Sequence, residues 1–199
     1  MKFAVHTLGC KVNQYETQAI ETILRSRGHV MAQPGETADL VIVNTCAVTA
    51  ESGRKSRQAV RRLMHENPGA VTAVCGCFSQ LSPGEVSALG ADIVYGSGDK
   101  LKLIEDMERL SREKKVVCVD DPFARREFER LPAGAVDGRT RAMHKVQDGC
   151  VNFCTYCVIP YTRGRVRSLP KEEAAAEARR LAAEGFRELV LTGIEIASY

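Results

Sequence analysis

The chain has 199 residues, 44% hydrophobic and 27% charged, with 28 Lys and Arg against 25 Asp and Glu. That is the make-up of an ordinary globular protein with a real core, and its basic excess falls short of what a dedicated nucleic-acid-binding domain carries. No apolar run approaches the roughly 18 residues needed to span a bilayer, and the opening MKFAVHTLGCKVNQYE turns polar too early for a secretory signal, so a cytoplasmic location with no membrane partner is expected.

In chain order, KFAVHTLG at 2–9 reads as a strand. Residues 13–27 read as a helix, opened by a capping box of Asn13 with Glu16 and stopped by Gly28. The unbroken apolar run DLVIVNT at 39–45 predicts a strand buried on both faces of a parallel sheet. A helix over 50–67 ends at Pro68-Gly69. Strands at 70–76 and 91–96, a helix over 100–112 and a strand KKVVCVD at 114–120 follow. Such alternation predicts a layered α/β sandwich on a parallel sheet, spanning 1–119.

Pro, Gly and clustered charge at 120–139 break the rhythm and read as a linker. The second unit, 140–199, opens with a strand at 140–147 and a cysteine-bearing loop at 148–163. A helix over 171–184 closed by Gly185 and a strand ELVLT at 188–192 complete a βαβ beginning. A full β/α barrel needs upwards of ~200 residues, so only its first part is expected here, and the sequence reads as cut off inside it.

In a reducing compartment disulfides do not persist, so eight cysteines point to metal or redox chemistry, while each also competes with a plain core assignment. Cys150, Cys154 and Cys157 stand in GCVNFCTYC with C-x3-C-x2-C spacing. Three thiolates so close, on a loop that Gly149 allows to turn tightly, can wrap an iron–sulphur cube with backbone amides facing it. A purely electron-carrying cluster uses four cysteines; three leave one iron open to a substrate, the logic that separates catalytic from structural zinc sites. Structural zinc fits less well, because no second C-x2-C knuckle or matching histidine follows. The spacing, with Tyr156 before the last cysteine, matches the radical S-adenosylmethionine signature.

Cys10, Cys46 and Cys77 each follow a predicted strand. In a parallel sheet such residues meet at the carboxyl edge, where open α/β sheets hold ligands, so they can form a second three-thiolate site. Helices starting after Cys10 and Cys46 would aim their positive ends at an anionic group there. Cys75 and Cys118 lie inside apolar strands and read as core; Cys75 competes with Cys77, which is preferred because it lies past the strand. His6, His29, His65 and His144 have no partner at useful spacing.

TLGCKVNQYET, VNTCAVTAESGRKSRQ, CGCFSQ and KVQDGCVNFCTYCVIPYTRGRVRS together resemble the methylthiotransferase family of radical S-adenosylmethionine enzymes. The wording of the first two is most similar to the branch that modifies threonylcarbamoyladenosine in tRNA. The resemblance implies an N-terminal methylthiotransferase domain, a radical barrel and a C-terminal RNA-binding β-domain, the last absent from this sequence. It implies an auxiliary 4Fe–4S cluster on Cys10, Cys46 and Cys77, and a radical 4Fe–4S cluster with S-adenosyl-L-methionine on Cys150, Cys154 and Cys157. Tyr156 would lie beside the adenine of that cofactor, and Thr192 and Gly193 at its amino group. Glu195 departs from the histidine expected in this stretch.

The chemistry implied is reductive cleavage of the cofactor, hydrogen abstraction from carbon 2 of the adenine next to the anticodon, and methylthio transfer. Flavodoxin or ferredoxin would be the reductant. A tRNA anticodon stem-loop would present the base unstacked, with Arg163, Arg165 and Arg167 as candidate phosphate contacts. Alternatives are the same chemistry on isopentenyladenosine in tRNA or on a ribosomal protein, or a non-enzymatic electron carrier or metal scaffold. With the barrel incomplete, the chain alone is expected not to turn over.

Overall fold

The structure, a computed structural model, describes residues 1–109, 115–132 and 140–199. Six strands, β1 (Lys2–Thr7), β2 (Val30–Met31), β3 (Leu40–Thr45), β4 (Val71–Gly76), β5 (Ile93–Tyr95) and β6 (Val116–Cys118), form one sheet in the order β2-β1-β3-β4-β5-β6. Every pairing is parallel. The helices between them are α1 (Lys11–Ser26), α2 (Ala50–Glu66), α3 (Cys77–Leu81), α4 (Pro83–Ala88) and α5 (Lys100–Arg109).

Alternation along the strands supplies a core on each face. Leu40 and Ile42 point to one side with Phe3, Ala73 and Ile93, under Ile20 and Leu24 of α1 and Leu103, Ile104 and Met107 of α5. Val41 and Val43 point to the other with Val74 and Val94, under Val60 and Leu63 of α2, Phe78 of α3 and Val86 of α4. A strand covered on both faces has no polar position to spend, which is why 40–43 reads as unbroken apolar sequence.

Residues 120–132, the described part of the expected linker, are packed along this body rather than spanning open space. Arg125 binds Asp120 in a two-pronged pair and also donates to Ser97 Oγ at 2.7 Å and Gln80 Oε1 at 2.9 Å. Phe128 and Leu131 are buried, and the Leu131 carbonyl accepts from Tyr15 Oη at 2.6 Å. The other linker residues, 133–139, the tail 110–112 of the helix expected over 100–112, and Lys114 of the following strand lie outside the described residues.

Beyond this strap of residues 120–132 come β7 (Arg141–Lys145), β8 (Gln147–Asp148), α6 (Ile159–Arg163), β9 (Arg167–Ser168), α7 (Lys171–Ala183) and β10 (Glu188–Thr192). β7 and β10 pair in parallel, and β8 and β9 antiparallel. Tyr15 and Ala19 of α1 share a small core with Leu131, Ala142, Met143 and Leu181, so α1 touches both groups of elements. Among the described residues no helix is long and apolar enough to cross a membrane.

Four sequence expectations change in detail. The capping box does not form: Cys10 is the N-cap of α1, and Asn13 and Glu16 are buried in other bonds. β2, α3 and α4 were not expected, being too short to show a period. The expected strand at 140–147 is divided between β7 and β8, and the loop at 148–163 ends in α6.

Candidate functional site

β1, β3 and β4 are neighbours, and Cys10, Cys46 and Cys77 stand just past their carboxyl ends. The chain leaves β1 through α1 toward one edge of the sheet and leaves β3 through α2 toward the other. Loops that diverge in this way open a crevice, the usual ligand position of an open parallel sheet, and Cys10 and Cys46 flank it. Gly9 has φ +102°, and a Cβ there would lie 2.9 Å from Cys46 Sγ. Only glycine accepts both that backbone and that approach.

Side chains tie these loops down. Asn13 Nδ2 donates to the Leu8 carbonyl at 2.8 Å and the Thr45 carbonyl at 3.0 Å. Ser56 Oγ accepts from Cys46 N at 3.1 Å and donates to Cys46 O at 2.9 Å. Cys46 and Cys77 are buried and Cys10 is exposed. Cys75 lies in the core under α1 and α5, where burial pushes its thiol up to about 11, so it stays protonated. Cys118 packs against the same core.

In the second set Cys150 is buried, Cys157 half-buried and Cys154 exposed. Gly149 has φ +79°, and a Cβ there would lie 1.9 Å from the Arg165 carbonyl, so the loop folds tightly on the segment after α6. Cys150 N donates to Gly164 O at 3.0 Å and Cys157 N to Cys154 O at 2.9 Å. Phe153 stacks on Phe123 of the strap at 6.1 Å, with Tyr161 edge-on to both rings.

Tyr156 stands 86% exposed on this loop. Thr192 is buried at the end of β10, and the backbone after it is held by Gln147, a residue the sequence reading passed over. Gln147 Oε1 accepts from Ile194 N at 2.8 Å and Glu195 N at 2.9 Å, while its Nε2 donates to Gly149 O at 2.7 Å. One buried amide thus fixes the end of β10 against the start of the cysteine loop.

Between the two cysteine sets lies a buried ionic network that was also missed. Glu16 of α1 accepts from both Nη1 and Nη2 of Arg163, and from Lys145 Nζ at 3.0 Å. Lys100 Nζ approaches Glu16 at 4.0 Å. Asp148 pairs with Lys145 at 2.7 Å, Arg163 at 3.3 Å and Arg167 at 3.7 Å. Burial alone would raise the Glu16 carboxyl, but Arg163, Lys145 and Lys100 outweigh it and bring it down to about 2. Burial likewise works against charge on Asp148 and Lys145, yet the opposite charges keep Asp148 below the usual carboxylate range and Lys145 above the usual ammonium range.

This placement corrects the phosphate-contact expectation. Arg163 and Arg167 are buried at 0% and 7% exposure, with their guanidinium groups turned into the network or onto backbone carbonyls. A phosphate backbone cannot reach them there. Arg165 is exposed.

The sequence profile described as uncharacterized protein family UPF0004 matches residues 2–96, and that of the radical SAM superfamily matches 145–199. The threonylcarbamoyladenosine tRNA methylthiotransferase MtaB of Bacillus subtilis (strain 168) is 42% identical over 198 residues, covering 98% of this chain and 44% of the relative. Over nearly its whole length the chain is similar to radical S-adenosylmethionine methylthiotransferases. The MtaB of Aquifex aeolicus (strain VF5) is 37% identical, covering 100% of this chain and 49% of the relative. A tRNA-2-methylthio-N(6)-dimethylallyladenosine synthase of Sphingopyxis alaskensis (strain DSM 13593 / LMG 18877 / RB2256) is 36% identical, covering 99% and 45%. The chain spans about half the length of the curated relatives it matches. The radical S-adenosylmethionine methyltransferase TsrM from Kitasatospora setae shares the fold, with TM-score 0.58 at 16% identity over 97% of this chain and 47% of that one.

The residues present fit the iron–sulphur groups such a family implies. Among the described residues no three His, Cys, Asp or Glu converge on a single metal ion. That is no conflict, because a zinc ion gathers its ligands round one point whereas a cube spreads its thiolates over separate corners. Two features call for an anion beside the cysteines. The buried cations Lys100, Lys145, Arg163 and Arg167 outnumber the buried carboxylates Glu16 and Asp148, even with half-buried Glu129 added. Arg163 Nε is also buried with no hydrogen-bond partner among the described residues, an arrangement that is costly unless something accepts from it.

Proposed function

We propose that this chain carries the auxiliary-cluster domain, 1–119, and the opening of the radical domain, 140–199, of an enzyme that transfers a methylthio group to carbon 2 of N6-threonylcarbamoyladenosine in tRNA. The observation that carries the reading is the pairing of two three-cysteine sets, one at the carboxyl ends of β1, β3 and β4 and one on the loop after β8, held together by one buried ionic network. In this reading Cys10, Cys46 and Cys77 hold one 4Fe–4S cluster, and Cys150, Cys154 and Cys157 hold the other. Bound there with S-adenosylmethionine, these groups supply the radical and sulphur chemistry that no acid or base of the chain can perform on an aromatic C–H bond.

The chain's own part is positioning. Gln147 fixes the backbone at 194–195 beside the cysteine loop, and Thr192 and Gly193 just before it would contact the cofactor when it is bound. Phe123, Phe153 and Tyr161 form an apolar support under the loop, and exposed Tyr156 is free to cover the cofactor's adenine. Arg165 is the one member of the arginine triplet left exposed for a tRNA phosphate. The reductant in this reading is a flavodoxin or ferredoxin. Three cysteines per site, rather than four, speak against a plain electron carrier.

The test is anaerobic reconstitution with iron and sulphide, followed by iron analysis and electron paramagnetic resonance with and without S-adenosylmethionine. About eight irons per chain, with one signal moved by the cofactor, is the expected result. Zinc, or no metal, overturns the reading. The 36% identity to a dimethylallyladenosine synthase over 99% of the chain favours a second substrate, isopentenyladenosine in tRNA. Assay of the full-length protein on tRNAs bearing each modification separates the two.

A further inference from the structure

Arg163 belongs to the second cysteine unit by sequence and to the first by contact. It ends α6, which packs against α3, the helix that begins at Cys77. Its Nη2 donates to Asn13 Oδ1 at 2.6 Å, and the same oxygen lies 4.0 Å from Cys10 Sγ. Nη1 is taken by Glu16 and Asp148 and the rest of Nη2 by Glu16. Nε is left over, buried and unpartnered among the described residues.

We propose that Arg163 is a residue of the N-terminal cysteine site, supplying the positive charge and the buried N–H donor that an anionic cluster on Cys10, Cys46 and Cys77 requires. The proposal rests on the two-cluster reading above. A structural lock would need only the paired Nη groups. The leftover donor and the surplus of buried cations are explained together once an anion sits on the cysteine side of the guanidinium, and α6, which Arg163 ends, packs on α3, which Cys77 begins. The N-terminal site is then incomplete until the second unit has docked.

A nearby cation stabilises the more negative, reduced cluster, so its loss lowers the potential. The experiment uses the chain with Cys150, Cys154 and Cys157 all replaced by Ala, so that only the N-terminal cluster can form. Iron content and an anaerobic redox titration followed by paramagnetic resonance are measured on samples whose circular dichroism shows the parent fold. Arg163→Gln should lower the midpoint potential. Arg163→Lys, which keeps the charge but loses the planar Nε donor, should lower it less. Glu16→Gln should raise it, a sign that general loosening of the site would not give.

A potential unmoved by Arg163→Gln, or moved the same way by Arg163→Gln and Glu16→Gln, overturns the proposal. Should Arg163→Gln not fold, Arg163→Lys decides, and an unmoved potential again overturns it. A triple-cysteine variant that takes up no iron refutes the two-cluster reading itself, and the proposal falls with it.

Discussion

Replacing Glu16 by Gln removes a carboxylate that three buried cations share. Glu16 is fully buried, with Arg163, Lys145 and Lys100 as its partners. The three cations hold its folded pKa well below the ordinary 4.5, and breaking a buried ion pair from one side costs about 3–5 kcal/mol. Because the folded pKa is depressed, the stabilisation is complete above about pH 4.5 and is lost as pH falls toward 2. Urea denaturation of the metal-free chain, followed by circular dichroism, should therefore show Glu16→Gln less stable by about 3 kcal/mol at pH 7. The difference should shrink steadily between pH 4.5 and 2. A loss under about 1 kcal/mol, or a variant that keeps the full wild-type slope in that window, would refute the account of the network as a buried charge lock.

Gln147→Ala should release the amides of Ile194 and Glu195, now held at 2.8 and 2.9 Å; hydrogen exchange there should quicken by about tenfold, and unchanged protection would remove Gln147 from its positioning role. Gly9→Ala forces φ +102° on a residue whose Cβ would meet Cys46 Sγ at 2.9 Å, so melting should reveal a loss of about 1–3 kcal/mol; a neutral result would show that the Cys10 loop can move away from Cys46. Cys77→Ser should halve the reconstituted iron while Cys75→Ala leaves it intact, since Cys75 is a protonated thiol in the core. The reverse pattern would exchange their roles.

The parallel sheet was legible because fully covered strands leave an unmistakable apolar run, as at 40–43. The two candidate cysteine sets were legible as patterns for a different reason: three of the eight cysteines are close in sequence, and three others each follow a strand. The charge network was not. Asn13 and Glu16 stand three apart just past a strand and a cysteine, the local pattern of a capping box. That pattern carries no information about Arg163, whose contact with Glu16 spans 147 positions. Arg163, Arg165 and Arg167 look alike in YTRGRVRS, and only the folding of the loop on Gly149 and the pairing of β8 with β9 turn two of them inward and leave the third exposed.

A sequence reading assigns charged residues to the surface by default, because burial of an unpaired charge is costly. Here the two cysteine sets come from separate sheets, and joining them buries whatever lies between. Apolar side chains would seal such a junction at lower cost, as replacements of buried ion networks in other proteins show. Glu16, Asp148, Lys145, Lys100, Arg163 and Arg167 instead form a junction with surplus positive charge. That surplus is a liability in the metal-free chain and, in the proposed two-cluster reading, would become an asset with anionic groups on the cysteines. Packing of the two units and loading of their cysteines are therefore coupled: anion uptake should strengthen the junction, and a formed junction should favour uptake, each by the same free energy.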